Sequence, residues 1–132
     1  MLTQSDLDAF ATRFMATWTT QNVDAVLECY TDDVVFRDPN TRGDILGLDR
    51  LRRYITRLFA GWSMTWSVRE AHLFATGDGA ALLWHATFTR VGESAVVEAD
   101  GMDLLVFKNG LVRRNEVYFD RTILPLGAPP PP

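Results

Sequence analysis

Two aspartates stand where aspartates are costly. Asp38 closes the run Val34-Val35-Phe36-Arg37-Asp38-Pro39, and Asp103 lies inside Gly101-Met102-Asp103-Leu104-Leu105-Val106-Phe107. In a β-strand alternate residues share a face, which places Asp38 with Val34 and Phe36, and Asp103 with Leu105 and Phe107. A carboxylate on an apolar face must shift its pKa or find a partner. Two of them in one chain of 132 residues point to an acid/base pocket.

Each residue also has a plainer reading. Asp38, before Pro39, can end its strand by accepting from the backbone amides of Asn40 or Thr41. Asp103 can pair with Arg113 or Arg114 across a hairpin. Asn115 shares a strand face with Val117 and Phe119, and is either a pocket hydrogen-bond donor or a satisfied core amide. His85 alternates with Trp84 and Ala86, so it faces outward with Thr87 and Thr89, and His72 offers less. These two histidines and the single Cys29 lack ligand spacing. No nucleotide-binding glycine motif or Gly-x-Ser-x-Gly elbow is present either, so no metal site and no cofactor are expected.

The elements that must hold these residues follow from hydrophobic spacing. Leu7, Phe10, Ala11, Phe14, Met15 and Trp18 recur at helical intervals after Thr3 or Ser5 as N-cap. Asn22 can cap a short second helix with Val26, Leu27 and Tyr30 inward, and Val34–Asp38 then reads as a strand. A loop of turn formers, Asn40-Thr41-Arg42-Gly43, precedes a third helix at about 48–60 with Leu48, Leu51, Ile55, Leu58 and Phe59 inward. Its arginines, Arg50, Arg52, Arg53 and Arg57, read as a solvated outer face.

From residue 63 the period falls to two. Strands are expected around Met64–Val68, over Ala80–Arg90, over Ala95–Phe107 with a bend or bulge at Gly101, and over Leu111–Phe119 after the Asn109-Gly110 hairpin signal. Helices followed by hairpins give an α+β fold, a cone-shaped curved antiparallel sheet wrapped over three helices. Residues 1–124 read as one domain and 125–132 as a flexible Pro-rich tail. Several strands are apolar on both faces, so the convex face of the sheet is expected to be a homodimer interface.

Composition narrows the partners. A formal charge of −4 and a pI near 5.0 argue against a nucleic-acid binder or a protein of anionic membrane surfaces. With 47% apolar residues and four tryptophans, the chain can surround a hollow for a small apolar ligand. The start, Met1-Leu2-Thr3-Gln4-Ser5-Asp6, has neither a basic leader nor an apolar stretch, and a cytoplasmic location is expected.

The order of elements resembles the nuclear transport factor 2-like superfamily, in its SnoaL-like and ketosteroid isomerase-like branch. The opening helix, the stretch Tyr30-Thr31-Asp32-Asp33-Val34-Val35-Phe36-Arg37-Asp38-Pro39, Gly47, the Asn109-Gly110 hairpin and Tyr118-Phe119-Asp120 carry the resemblance. In ketosteroid isomerases, the resemblance implies, Asp38 would be the proton-shuttling base and Asp103 the acid that stays protonated to hold an oxyanion. Phe14 falls where that family has a tyrosine donor, and phenylalanine has no hydroxyl. One such donor is worth on the order of 3–4 kcal/mol in the transition state.

Limonene epoxide hydrolases fit less well. Val117, Trp84 and Ala86 take the places of their aspartate, arginine and second aspartate, and Phe36 and Asp38 replace the assisting tyrosine and asparagine. SnoaL-type cyclases close rings by aldol chemistry with one acid/base group, and the resemblance admits that activity without the tyrosine.

Two functions are therefore expected to compete. The first is a cofactor-free acid/base enzyme, an isomerase or cyclase acting on a small apolar carbonyl compound. Asp38 and Asp103 would be catalytic, with Phe14, Trp18, Phe36, Leu58, Trp84, Phe88, Leu105, Asn115 and Phe119 shaping the substrate site. The second is a non-catalytic binding or assembly domain of the same fold.

Overall fold

A computed structural model describes residues 2–124 of the chain. The first helix, α1 (Gln4–Thr19), starts at a reciprocal cap. Thr3 Oγ1 accepts from the Asp6 amide at 3.0 Å, and the Asp6 carboxylate accepts from the Thr3 amide at 3.1 Å. Its buried stripe is the one expected from spacing: Leu7, Phe10, Ala11, Phe14, Met15 and Trp18. Helix α2 (Val23–Leu27) is capped by Asn22 Oδ1 on the Ala25 amide. Helix α3 (Leu48–Gly61) buries Leu51, Tyr54, Ile55 and Leu58, with Gly47 at its N-cap in the left-handed region at φ 84°.

Six strands make one curved, open sheet in the order β2-β1-β6-β5-β4-β3. They are β1 (Tyr30–Arg37), β2 (Ile45–Leu46), β3 (Trp62–Leu73), β4 (Gly79–Arg90), β5 (Val97–Lys108) and β6 (Leu111–Tyr118). The inner face of β4, from Ala80 through Leu82, Trp84 and Ala86 to Phe88, is buried, and α1 packs against this side of the sheet alongside β3.

Three expectations are corrected. The sheet is mixed, because β1 pairs parallel with β6 while the remaining ladders are antiparallel. Strand β1 is early in the chain and reaches β6 only after α3 and the hairpins have brought the chain back to its side. The loop of turn formers is followed by a short strand, β2, whose Ile45 and Leu46 pair with Phe36 and Val35. Finally, Gly101 is not a bulge. The irregularities of β5 and β3 fall at Val106/Phe107 and Val68/Glu70. Gly101 instead lies under the Trp84 ring: an added Cβ would sit 2.6 Å from Trp84 Cζ2 and 2.8 Å from the Tyr118 carbonyl oxygen. The Pro-rich tail, 125–132, lies outside the described residues.

No helix among the described residues is long and apolar enough to cross a membrane. The single cysteine, Cys29, is half-buried and free.

Candidate active site

The concave side of the sheet encloses an apolar cavity holding about 610 Å³ of empty space, its open mouth included. Both aspartates singled out by alternation line it, together with Trp18, Phe36, Leu58, Trp84, Phe88, Asn115 and Phe119. Phe14 and Leu105 do not. Both are fully buried in the core behind the wall, so the expectation that they shape the hollow is corrected. All four tryptophans reach the cavity, since Trp62 and Trp66 also line it. Trp18 stacks on Phe36 with ring centroids 6.3 Å apart, and Phe88 stacks on Phe119 at 5.5 Å. These rings keep the walls stiff and apolar.

Asp103 belongs to the middle of β5, paired with Leu82 on one side and Val117 on the other. It is 5% exposed, and among the described residues no arginine pairs with it. Its Oδ1 accepts from the Trp84 indole Nε1 at 3.0 Å. Burial pushes the Asp103 carboxyl up to about 7, against the pull of the Trp84 indole and the Asn115 amide, and the nearby Asp38 charge pushes it further. A neutral acid offers its own O–H to the cavity, which an aspartate in water could not do near neutral pH.

Asp38 follows the last residue of β1 and is half-buried. Here both readings of the sequence meet in one side chain. Its Oδ1 accepts from the backbone amides of Asn40 at 2.7 Å and Thr41 at 3.1 Å, while the residue also lines the cavity. Its Oδ2 accepts from the Tyr54 hydroxyl of α3. Burial raises the Asp38 carboxyl above its ordinary value; Tyr54, the two amides and the Arg121 charge oppose that rise. The donors favour the ionised form, and that form is the one a general base needs. Tyr54 itself is pushed well above the ordinary phenol range by burial and by the Asp38 carboxylate, so it stays a donor.

Asn40 and Leu124 also line the cavity. Asp120 caps the 3-10 turn Arg121–Ile123 by accepting from the Thr122 amide at 2.9 Å. Arg121 Nε donates to Asn40 Oδ1 at 2.8 Å, tying that turn to the loop after Asp38.

Asn115, on β6, is fully buried. Its Oδ1 accepts from the Tyr30 hydroxyl at 2.7 Å. Burial holds that phenol well above its ordinary range, so it too remains a donor. Sequence reasoning missed both tyrosines as partners. Tyr54 shares the helical stripe of Leu51, Ile55 and Leu58, and Tyr30 ends an apolar run. A tyrosine on a buried stripe carries a hydroxyl that must find a partner, and this was the available signal.

His85 lies on the outer face, away from the cavity. Its Nδ1 and Nε2 sit 2.8 Å from Asp100 and 3.0 Å from Glu98, and these carboxylates raise its pKa. Among the described residues no group of three or more His, Cys, Asp or Glu is arranged to hold a metal ion.

Residues 11–115 match the sequence profile of the SnoaL-like domain. No curated protein matches the sequence. Among solved structures, the epoxide hydrolase/cyclase-like enzyme SalBIII of pyran ring formation in salinomycin is 17% identical, with a TM-score of 0.80 over 92% of this chain and 96% of that one. A ketosteroid isomerase-like protein from Erwinia carotovora atroseptica is 21% identical, with a TM-score of 0.67 over 86% and 92%. A computationally designed 17-OHP binder is 16% identical, with a TM-score of 0.73 over 87% and 94%.

Proposed function

The chain belongs to the SnoaL-like domain family, and on that premise we propose that it is a cofactor-independent acid/base enzyme acting on a small apolar carbonyl compound. The observation that supports this most is the split between the two carboxyls of one cavity. Asp103 has one indole donor and titrates near 7, while Asp38 is held by a phenol and two backbone amides that favour its charge. Paired carboxyls in unlike environments are the arrangement that assigns one as acid and one as base.

In this reading Asp38 removes a proton from the carbon beside the carbonyl. The C–H electron pair moves into the carbonyl and leaves an enolate oxygen, which the Asp103 O–H holds by a hydrogen bond. Asp38 then returns its proton to a different carbon, as an isomerase does. In a cyclase the enolate carbon instead attacks a second carbonyl, and the new alkoxide takes the proton. The apolar walls keep water away, which strengthens the hydrogen bond to the oxyanion.

The test is turnover across a panel of small cyclic enones and diketones. Wild-type protein should turn over at least one of them, and Asp38→Asn should lower kcat by at least a hundredfold. Unchanged turnover in that variant rejects Asp38 as the base.

The competing reading is a binding domain without turnover. Phe14 supports it, because it is fully buried and its ring carries no donor. The fold is shared by a computationally designed 17-OHP binder. Saturable binding of an enone with no proton exchange at its α-carbon would favour this reading.

We also propose a homodimer through the outer face of the sheet. Ala81 and Leu83 of β4 pair with Leu104 and Met102 of β5, and Met102 in turn pairs with Tyr118 of β6, which is 47% exposed. An apolar stripe across three strands is the kind of surface a second copy covers. Sedimentation equilibrium giving a mass of one chain rejects it.

A further inference from the structure

Among the described residues, two buried side-chain nitrogens have no hydrogen-bond partner: Trp18 Nε1 and Asn115 Nδ2. Both residues line the same cavity. Buried donors are seldom left unpaired, so each of these calls for an acceptor within its reach. Asn115 is 0% exposed and Trp18 is 7% exposed.

The amide of Asn115 is oriented, not free to turn. An indole N–H can only donate, and that of Trp18 approaches the Tyr30 hydroxyl without completing a hydrogen bond to it. The Tyr30 proton therefore points away from Trp18, and it is given to Asn115 Oδ1 at 2.7 Å. With its oxygen engaged by Tyr30, the amide must present nitrogen on its other side. There Asn115 Nδ2 faces Asp103 without completing a bond to it. Phe14 packs edge-on against Tyr30 with ring centroids 6.0 Å apart. Because Phe14 has no hydroxyl to compete, the Tyr30 proton goes to Asn115 alone.

We propose that Asn115 Nδ2 and the Asp103 carboxyl form a two-donor site for one oxygen of the bound ligand, with Tyr30 as the positioning residue that aims the amide. The ligand class is a flat, largely apolar compound bearing one strong acceptor oxygen, such as a ketone, an enol or a phenol. This inference rests on the reading of Asp103 as a neutral donor.

The test uses 2-naphthol and naphthalene, which share shape and differ by one oxygen. Full-length protein labelled with nitrogen-15 and carbon-13 is titrated with each, following the Asn115 side-chain amide and the Asp103 carboxyl by NMR. The expected result is binding of 2-naphthol at least tenfold tighter than naphthalene, with the Asn115 amide protons moving only for 2-naphthol. In Asn115→Leu and in Tyr30→Phe the preference for 2-naphthol over naphthalene should shrink about tenfold. The wild-type amide signal serves even if a variant fails to fold. Equal affinity for the two ligands, an unmoved Asn115 amide, or no binding of either overturns the proposal. An unmoved amide with Asp103 still titrating near 7 rejects this inference alone. A moving amide with Asp103 at an ordinary carboxyl pKa removes Asp103 from the two-donor site, and rejects both this inference and the proposed acid/base roles.

Discussion

Replacing Asp103 by asparagine should make the protein more stable near neutral pH. Asparagine has the shape of the neutral acid: its Oδ1 can accept from Trp84 Nε1, and its amide replaces the O–H. The wild-type carboxyl titrates near 7 in the folded protein and near 3.8 as an ordinary aspartate when unfolded. Between those two values the folded state binds more protons than the unfolded state, so stability falls as pH rises. The slope approaches about 1.4 kcal/mol per pH unit, which over that window amounts to about 4 kcal/mol lost by pH 8. Asp103→Asn has no proton to lose there, and its stability should exceed wild type by that amount at pH 8 and match it near pH 4. Asp38 and His85 titrate in both proteins, so the difference isolates position 103. Urea unfolding at half-unit pH steps, with both proteins measured side by side, is the assay. Parallel curves across this range would refute the buried, neutral Asp103 and the acid role built on it. Turnover offers a second reading of the same variant: an amide also donates, so activity should fall far less than in Asp38→Asn.

Other perturbations probe the supports of the site. Tyr54→Phe removes a donor that favours the Asp38 carboxylate. The Asp38 pKa should rise, and the acidic limb of the pH–rate profile should move to higher pH, with stability changing by only about 1 kcal/mol. Gly101→Ala drives a Cβ against the Trp84 ring and the Tyr118 carbonyl. It should cost about 1–3 kcal/mol by chemical denaturation and shift tryptophan fluorescence as the indole leaves Asp103. Thr3→Ala removes one half of the reciprocal cap of α1 and should cost about 1 kcal/mol while leaving the titration of Asp103 unchanged.

Much of the site could be read because local spacing sets which way a side chain faces. The stripe from Leu7 to Trp18 could bury only as a helix, and the alternation around Asp103 left its carboxyl no exposed face. The same rule placed Asn115 with Val117 and Phe119, and His85 outside. Pro39 marked the end of β1 and so the position of Asp38 at a rim.

What pairs with what was decided only by the tertiary structure, because partners distant in sequence leave no local period. Tyr54 meets Asp38 from a helix sixteen residues on, and Tyr30 meets Asn115 across eighty-five. The parallel ladder of β1 on β6 arises from the path of the whole chain, and nothing in the alternation of either strand distinguishes it from an antiparallel one. Gly101 read as a bend because glycine frees the backbone, yet the fold uses it as clearance for Trp84. Phe14 faced inward as its helical spacing required, but facing inward did not decide between core and cavity wall. Helical spacing sets a side chain's direction, whereas the packing of α1 against the sheet decides which inward side chains fill the core and which leave a hollow.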